Sequence, residues 1–227
     1  MKIALHGYGK IGKLVDQIAQ QAGHEILPIN RKTPREDTQK YLQTADLAID
    51  FSSSEAVPHF VDLCIQHKKN LVIGTTGWDA HLEPIKKKVL QSGIGCIYSP
   101  NFSIGVALFK QIVAHAANIL LKDYDISGIE YHHKQKADAP SGTAKALSNM
   151  INSSHPNVDL NFSSIRCGHI PGTHTIIFDG EVDSITMTHE ARNRMGFAHG
   201  ALRAAEWIQN KKGFYIIDDF IREINSC

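Results

Sequence analysis

Cysteine is scarce in this sequence, and no spacing typical of a metal site or a disulfide framework is present. The four cysteines, at positions 64, 96, 167 and 227, are far apart and form no CxxC pair. An HExxH zinc motif is also missing. Widely spaced single cysteines are typical of proteins whose thiols stay reduced. We therefore expect a cytoplasmic protein in which the cysteines are buried or incidental.

Long apolar runs and an excess of one charge are missing as well. The apolar stretch 3–5 is too short for a signal peptide, and no segment approaches the roughly 18 apolar residues of a membrane span. The 24 Lys and Arg residues against 23 Asp and Glu residues give a formal net charge of +1. This balance gives no indication of binding to nucleic acid or to a membrane. A chain of 227 residues suffices for one large domain or two small ones.

The first hundred residues alternate short apolar runs with helical periodicity, which is typical of βαβ units and a parallel sheet. Strands are predicted at 3–5, 25–30, 47–51, 71–73 and 94–98, and helices at 11–22, 56–66 and 82–90, with a serine among residues 52–54 capping the second helix. The polar segment 31–43, which contains Pro34, predicts a loop or only a short helix. The sequence Ser99-Pro100-Asn101 breaks the pattern, so we place a domain boundary near residue 102.

A glycine motif, Gly7-Tyr8-Gly9-Lys10-Ile11-Gly12, is a G-x-G-x-x-G placed between a predicted strand and a predicted helix. Its glycines allow a tight turn and a close approach of the backbone to a pyrophosphate, and the helix start offers free N–H groups. The alternative is a glycine-rich turn that binds nothing. We expect a nicotinamide dinucleotide to contact Gly7, Tyr8, Gly9, Lys10, Ile11 and Gly12.

The second half of the chain has a different pattern. It begins with a long helix predicted at 104–120, continues with strands that include a hairpin turn at Asp179-Gly180, and ends with an amphipathic helix near 197–208 and a strand at 214–217. The predicted fold class is α/β: a Rossmann dinucleotide-binding domain with an inserted α+β domain built on a mainly antiparallel or mixed sheet. The Rossmann domain is predicted to comprise residues 1–102 and 206–227, and the inserted domain residues 103–205.

The end of the second strand predicts which dinucleotide is bound. NAD-selective Rossmann domains place a carboxylate there, whereas a 2′-phosphate requires cations. This chain has Asn30-Arg31-Lys32, with two cations and no acid. The alternative is that Arg31 and Lys32 belong to an ordinary solvated loop. We expect NADPH to be preferred and NADH to be used as well.

The segment Glu130–Ala144, EYHHKQKADAPSGTA, combines titratable side chains with an expected helix start. A histidine with a pKa of about 6.5 can deliver a proton at neutral pH. A lysine ammonium, together with the N–H groups of Gly142 and Thr143, can hold a carboxylate. These residue types fit a site that reduces a small anionic substrate.

This segment resembles the motif E-x-H-H-x-x-K-x-D-x-P-S-G-T-A of 4-hydroxy-tetrahydrodipicolinate reductases, which act in lysine and diaminopimelate biosynthesis. The resemblance continues at 74–77, 99–106 and 188–201, and so spans nearly the whole chain. It implies an NAD(P)H-dependent reduction of 4-hydroxy-tetrahydrodipicolinate to tetrahydrodipicolinate with loss of water. It also implies a homotetramer assembled through the second domain.

The resemblance also implies a role for individual positions. His132 and Lys136 are implied as catalytic groups, and His133, Gly142 and Thr143 as contacts of the dicarboxylate substrate. The nicotinamide side of the cleft is implied to be lined by Gly74, Thr75, Thr76, Ser99, Pro100, Asn101 and Phe102. No metal ion is implied. The sequence departs from the family pattern at His6, where many members have a glycine, and in the short segment 152–166.

Three other functions are compatible with the residues. A metal enzyme would use some of the second-domain histidines, which are His132, His133, His169, His174 and His189, although their spacings match no common zinc pattern. A non-catalytic dinucleotide-binding regulator, or another amino-acid dehydrogenase, would share the Rossmann fold. Neither is expected to carry the segment Glu130–Ala144. Arg194 suits a second substrate carboxylate, and His189 is equally compatible with a structural role.

Overall fold

The computed structural model describes residues 1–225 and contains two compact units. Unit 1 comprises Met1–Ile104 and the chain from Met195 onward, and unit 2 comprises Gly105–Arg194. The second boundary therefore lies at residue 195, whereas the sequence suggested residue 206. The difference is a helix, Met195–Ile208, that packs on the first helix and on three strands of unit 1. An amphipathic pattern shows that a helix has a buried face, but not which layer covers that face.

The elements are numbered in chain order. The strands are β1 (Lys2–His6), β2 (Glu25–Ile29), β3 (Leu47–Asp50), β4 (Asn70–Ile73), β5 (Gly95–Tyr98), β6 (Asp125–His132), β7 (Phe162–Arg166), β8 (Thr173–Asp179), β9 (Ser184–Glu190) and β10 (Gly213–Ile216). The helices are α1 (Lys10–Gln21), α2 (Arg35–Thr44), α3 (Val57–Gln66), α4 (Leu82–Ser92), α5 (Ile104–Leu120), α6 (Gly142–Ser154), α7 (Met195–Ile208) and α8 (Ile217–Ile224). The predicted α/β class is confirmed, and α5 has the predicted bounds.

Unit 1 is built on a parallel sheet that contains, within residues 1–225, six strands in the order β10-β5-β4-β3-β1-β2. Strand β1 pairs with β2 on one side and with β3 on the other. The direction of strand succession therefore reverses between β1 and β3. In open parallel sheets such a reversal opens a crevice at the carboxyl ends of the strands, where ligands bind.

Two local predictions for unit 1 have different outcomes: the segment predicted as a loop or only a short helix forms a helix, and the predicted serine cap is wrong. The segment 35–44 forms the ten-residue helix α2, although only Thr38 and Leu42 of it are buried, too few for an apolar period to be visible. No serine caps α3 in the described structure, because the N-cap position is Ala56. The hydroxyl of Ser52 donates to Asp50 instead, and that of Ser54 donates to Glu55.

Unit 2 is built on a mixed sheet of four strands, counted over the described residues, in the order β7-β6-β8-β9. The pair β6–β7 is parallel, whereas β6–β8 and β8–β9 are antiparallel, as predicted for a mixed sheet. Alternation along β6 turns Ile126, Gly128, Glu130 and His132 to the buried face. This face packs on α5 and α6 through apolar residues such as Leu147 and Phe178. The strand pattern therefore carries a carboxylate and an imidazole into an otherwise apolar layer.

The described cysteines are free thiols in different surroundings. Cys64 and Cys96 are buried, Cys167 is exposed, and Cys227 lies outside the described residues. Within residues 1–225, no helix is both long and apolar enough to cross a membrane.

Candidate active site

The glycine motif of unit 1 follows β1 and requires glycine at two positions on steric grounds. Gly7 has φ +91°, and a Cβ there would lie 2.2 Å from the carbonyl oxygen of Phe51. A Cβ at Gly12 would lie 2.1 Å from the carbonyl oxygen of Gly7. Glycine therefore lets the loop pass close to the end of β3 and lets α1 start directly beneath it.

A cavity of about 430 Å³ lies beside this loop at the carboxyl edge of the sheet. Its walls come from the segments that follow three strands: Gly9, Lys10 and Ile11 after β1, Phe51, Ser52, Ser53 and Ser54 after β3, and Gly74, Thr75 and Thr76 after β4. In the described structure, α1 begins after Gly9 without a side-chain cap, so the N–H groups of its first turn are available to an anion. The glycine cradle and this helix start fit the pyrophosphate of a dinucleotide.

The cavity includes serines that sequence reasoning did not assign to it. The sequence predicts that one serine among residues 52–54 caps the next helix, because serine is common at that position. A signal for their actual location was nevertheless present, since they follow the strand that neighbours β1 at the strand-order reversal. Their hydroxyl groups make this wall of the cavity polar.

The other residues predicted to contact the cofactor lie in different surroundings. Arg31 and Lys32 are exposed in the turn after β2, where the Lys32 N–H donates to the Asn30 side chain over 2.9 Å. The Tyr8 hydroxyl donates to Asp16 on α1, and this hydrogen bond raises the pKa of Tyr8. The two cations are thus free to reach a ligand, whereas Tyr8 is turned toward the helix.

The segment 99–102 after β5 is mostly packed inside unit 1. The Ser99 hydroxyl is buried and donates to the carbonyl oxygen of Asn101 over 2.7 Å. Phe102 is buried as well, and its backbone lies so close to α7 that a Cβ at Gly200 would meet the Phe102 carbonyl oxygen. Pro100 is exposed. The shape of this segment is therefore fixed by the core of unit 1.

A buried carboxylate, Asp50, joins the loops that line the cavity. Asp50 Oδ2 lies 2.6 Å from His6 Nδ1, and the His6 ring stacks on Phe60 with 4.2 Å between centroids. Asp50 also accepts hydrogen bonds from the backbone N–H and hydroxyl of Ser52 and from the hydroxyl of Thr75. We call Asp50, His6, Ser52 and Thr75 the Asp50 cluster. The departure from the family pattern at His6 is thus accommodated by a buried partner.

A second buried carboxylate, Glu130 on β6, lies in unit 2 and is completely inaccessible to solvent. Its Oε1 atom accepts three hydrogen bonds: from the Ser141 N–H over 3.1 Å, from the Ser164 hydroxyl over 2.7 Å and from Arg166 Nη2 over 2.8 Å. Ser164 and Arg166 come from β7, the parallel neighbour of β6. One carboxylate oxygen therefore fixes a neighbouring strand and the start of a helix.

The other oxygen of Glu130 faces two histidines. Oε2 lies 3.1 Å from Nδ1 of His132 and 3.7 Å from Nε2 of His174 on β8. Within the described residues, Oε2 and the Nδ1 atoms of both histidines are buried without a hydrogen-bond partner. The hydrogen bonding on this side of the carboxylate is therefore incomplete. We call Glu130 and its contacts the Glu130 cluster, which consists of Glu130, His132, Ser141, Ser164, Arg166 and His174.

The start of α6 belongs to the same cluster. Ser141 is the N-cap, and its hydroxyl oxygen accepts from the Ala144 N–H over 3.2 Å and lies 2.9 Å from His174 Nε2. The predicted helix start at this Pro-Ser-Gly-Thr sequence is confirmed. Gly142 is exposed and has open space around its Cα, so the first turn of α6 is accessible to a ligand.

Lys136 and His133 lie in the turn that follows β6. The Lys136 N–H donates to the His133 carbonyl oxygen over 3.1 Å, and the ammonium donates to Asp138 over 2.6 Å. Lys136 is close enough to His132 to lower the pKa of its imidazole. The structure thus brings the two histidines, the lysine and the start of α6 together in one part of unit 2.

The Glu130 cluster shifts the pKa values of its members. Burial raises the pKa of Glu130, but hydrogen bonds from Ser141, Arg166 and Ser164 outweigh burial and hold the pKa at about 2. Burial lowers the pKa of His132, while the charge of Glu130 opposes this shift. Burial also lowers the pKa of His174, to about 4. An ionised carboxylate thus stands beside two imidazoles that are mostly neutral at neutral pH.

The donor atoms of Glu130, His132 and His174 lie within 4.8 Å of one another, a spacing that also suits metal ions. The electrostatics favour another interpretation. Arg166 already neutralises Glu130, and a divalent cation beside the same carboxylate would be repelled by the guanidinium. Of the other histidines considered in the sequence, His169 is exposed and His189 is paired across the sheet with His174. We therefore interpret the cluster as a set of hydrogen-bonding and titrating groups.

Comparisons with known proteins agree across the whole chain. Residues 1–102 match the family model described as dihydrodipicolinate reductase, N-terminus, and residues 105–221 match the model for its C-terminus. The 4-hydroxy-tetrahydrodipicolinate reductase of Christiangramia forsetii is 32% identical over 99% of each chain. That of Rickettsia bellii is 38% identical over 80% of this chain and 78% of its own.

The fold is also that of a solved structure. Dipicolinate-bound dihydrodipicolinate reductase from Paenisporosarcina sp. TG-14 superimposes with a TM-score of 0.81 and 24% identity, over 95% of this chain and 97% of the other. A diaminopimelate dehydrogenase from C. glutamicum is more distant, with a TM-score of 0.56 and 13% identity, over 97% of this chain and 95% of the other. The chain belongs to the dihydrodipicolinate reductase family.

Proposed function

We propose that this protein catalyses the reaction of 4-hydroxy-tetrahydrodipicolinate, NAD(P)H and one proton to give tetrahydrodipicolinate, NAD(P)⁺ and water. The observation that carries the proposal is the Glu130 cluster, in which one carboxylate contacts both a titratable imidazole and the start of a helix able to bind an anion. Relatives that match nearly the whole chain are 4-hydroxy-tetrahydrodipicolinate reductases. The reaction belongs to lysine and diaminopimelate biosynthesis.

The cofactor would be held by unit 1. We assign the pyrophosphate to the loop Gly7–Gly12 and the first turn of α1, because the glycines leave no room for side chains and the helix start offers N–H groups. The nicotinamide end is assigned to Gly74–Thr76 and Ser99–Phe102, and it supplies a hydride when the cofactor is bound. Arg31 and Lys32 are exposed after β2, where a 2′-phosphate would lie, so we propose that NADPH is preferred over NADH.

The substrate is a dicarboxylate, and unit 2 offers several groups that can bind it. We assign one carboxylate to the N–H groups of Gly142 and Thr143 at the start of α6, whose positive end favours an anion. Lys136 supplies a positive charge near His132, and His133 in the same turn is assigned as a further contact. The Paenisporosarcina relative was solved with dipicolinate bound, which is itself a dicarboxylate.

His132 is assigned as the residue that supplies the proton. In the free protein burial lowers the pKa of its imidazole, which makes the charged form a stronger acid. A dianionic substrate nearby would favour the imidazolium, because opposite charges within a few ångströms stabilise each other. Substrate binding would thus favour protonation of His132, and this proton is the one that the reaction consumes. Lys136 keeps an ammonium close to the same site.

We also propose that the chain acts as a cytoplasmic homotetramer without nucleic-acid or membrane partners. The support for assembly is the outer face of the unit 2 sheet, which carries Ile129, Tyr131, Ile165 and Ile177 on the side opposite the core. Ile165 is 41% exposed, so a second copy of this chain could cover apolar surface there. Light scattering of the purified protein tests this assembly, and a monomer would contradict it.

The proposed reaction can be tested directly with a coupled assay. A synthase makes the substrate from pyruvate and aspartate semialdehyde, and NADPH oxidation is followed at 340 nm. We expect turnover that requires the synthase. Cofactor binding without turnover would support a regulator or a dehydrogenase with another substrate instead, because only the substrate assignment would then fail.

A further inference from the structure

Glu130 contacts both the imidazole of His132 and the start of α6. In the proposed function the imidazole supplies a proton and the start of α6 binds a substrate carboxylate. We propose that Glu130 is a positioning residue that keeps a proton on Nδ1 of His132, so that Nε2 faces the substrate, and that it fixes the carboxylate-binding start of α6 relative to this imidazole. The inference rests on the proposed function for the identity of the reaction.

The position of Glu130 follows from the strand. Residues 130 and 132 are two apart on β6, so both side chains lie on the same buried face. Oε2 of Glu130 and Nδ1 of His132 are 3.1 Å apart, and neither has a hydrogen-bond partner among the described residues. Because buried polar atoms are rarely left unpaired, a small rotation of the ring that joins these two atoms is favoured. Nδ1 must then carry the proton, since an ionised carboxylate can only accept.

The other ring nitrogen of His132 lies next to Gly172, just before β8. A Cβ at Gly172 would lie 2.9 Å from His132 Nε2, so a larger residue at position 172 would crowd that atom. The nitrogen available for reaction in a histidine is set by the hydrogen bond that its other nitrogen makes. With Nδ1 on Glu130, Nε2 is the atom that can exchange a proton with a substrate.

The carboxylate itself is held on its other side. Oε1 accepts from Arg166 and Ser164 of β7 and from the N–H of Ser141, the N-cap of α6. A movement of Glu130 would therefore displace the imidazole and the helix start together. We infer that this shared contact keeps the proton donor and the carboxylate-binding turn in a fixed relation.

The charge of Glu130 makes the inference measurable. The titratable groups facing His132 are Glu130 on β6, Arg166 on β7, His174 on β8, and Lys136 and Asp138 in the loop after β6. Glu130 is the main group that raises the pKa of His132, whereas Lys136 and Arg166 lower it. Removing the charge of Glu130 must therefore lower the pKa of His132 further, and this change is visible in a pH profile.

The first experiment is Glu130→Gln, which keeps the shape of the side chain and removes its charge. At pH 7.5 we expect kcat to fall roughly 10²-fold, the lower range for loss of acid catalysis, with the KM for NADPH unchanged. Because His132 then loses its proton at lower pH, the decline of kcat with rising pH should begin at lower pH than in the wild type. A profile that keeps its position and loses only amplitude would overturn the proposal.

Ser164→Ala is the matched control. It removes one hydrogen bond from Oε1 and leaves the charge and Oε2 in place. We expect some loss of thermal stability with the pH profile of kcat in its original position. If Ser164→Ala shifts the profile as far as Glu130→Gln does, general loosening of the site explains both results and the positioning role is wrong.

A second measurement does not depend on turnover or on the folding of a variant. In wild-type protein with ¹⁵N-labelled histidine, assigned by comparison with His132→Gln, we expect neutral His132 to carry its proton on Nδ1. A proton on Nε2 would overturn the proposal even in an active enzyme. An Nδ1 proton in a protein that fails the coupled assay would instead reject the proposed function and leave the Glu130–His132 contact established.

Discussion

The Asp50 cluster of unit 1 and the Glu130 cluster of unit 2 have the same kinds of components, but they differ in how many hydrogen bonds the two carboxylate oxygens accept. Each has a buried carboxylate, a histidine with Nδ1 facing it, and hydroxyl donors. Both oxygens of Asp50 accept hydrogen bonds from neighbouring loops. Glu130 has three hydrogen bonds on one oxygen and, within the described residues, none on the other.

This difference separates a structural task from a chemical one. A fully hydrogen-bonded carboxylate holds loops in place, and any change of protonation would break bonds already made. A carboxylate oxygen that faces an imidazole can accept from Nδ1–H whether the imidazole is neutral or charged. We therefore expect changes in the Asp50 cluster to alter stability and cofactor binding, and changes in the Glu130 cluster to alter the chemical step and its pH dependence.

The largest effect is expected for His132→Gln. Without the imidazole, kcat should fall roughly 10²- to 10⁴-fold, because positioned acid catalysis contributes about that much. The Kd for NADPH, measured by calorimetry, should stay unchanged, since we assign the cofactor to unit 1. His133→Gln is a useful comparison, for it should raise the KM for the substrate more than it lowers kcat. An unchanged kcat in His132→Gln would remove this residue from the acid role.

The second-largest effect is expected for Asp50→Asn in the Asp50 cluster, and it is an effect on stability. An amide NH₂ would face the donors of Ser52 or Thr75, so we expect a loss of about 1–3 kcal/mol in the free energy of unfolding. Urea denaturation measures this loss, and the Kd for NADPH should rise as the cavity wall loosens. The exposed change Glu55→Gln should stay within about 0.5 kcal/mol. If Asp50→Asn instead moves the pH profile of kcat, the division of tasks between the clusters is wrong.

A smaller effect, on cofactor binding alone, is expected for Arg31→Ala combined with Lys32→Ala. It tests the division of tasks between unit 1 and unit 2. Loss of two charged donors should raise the KM for NADPH roughly tenfold or more and leave that for NADH nearly unchanged. The KM for the substrate should not move, because unit 2 is untouched. Changing the exposed pair Lys86 and Lys87 on α4 to alanine serves as the control for loss of positive charge. Equal changes for both cofactors would contradict the assignment of a 2′-phosphate to this turn.

Much of the fold was predictable because its elements have strong local patterns. Buried residues recur at helical spacing in α1 and α5, and the strands of unit 1 are short apolar runs. Helix α2 lacks such a pattern, because it buries only two residues. Helix α8 buries Ile217, Phe220 and Ile221 at helical spacing but is only eight residues long, and its N-terminus is stabilised by Asp219 accepting from the Ile216 N–H. The layer to which α7 belongs depends on packing that no local sequence pattern records.

The candidate site was predictable only as far as its motif extends. Glu130, His132 and Lys136 stand within seven residues and could be found together in the sequence. Arg166 is 36 residues from Glu130 and reaches it only because β7 pairs with β6 in parallel. His174 reaches the same carboxylate through the register of β8. Strand order and register are set by the whole unit, so these two partners had no local signal.

The smallest expected effect lies in the acid dependence of stability, and it distinguishes two members of the Glu130 cluster. Burial lowers the pKa of His174 from 6.5 to about 4, so the unfolded chain binds a proton more readily and stability is lost as pH falls through that window. The pKa of Glu130 is lowered from 4.5 to about 2, so its contribution is lost only at lower pH. His174→Gln should therefore flatten the fall of the unfolding midpoint between pH 6.5 and 4 and keep the fall below it. The exposed change His169→Gln should leave both parts of the curve intact, and parallel curves for all three proteins would show that His174 is not held neutral by burial.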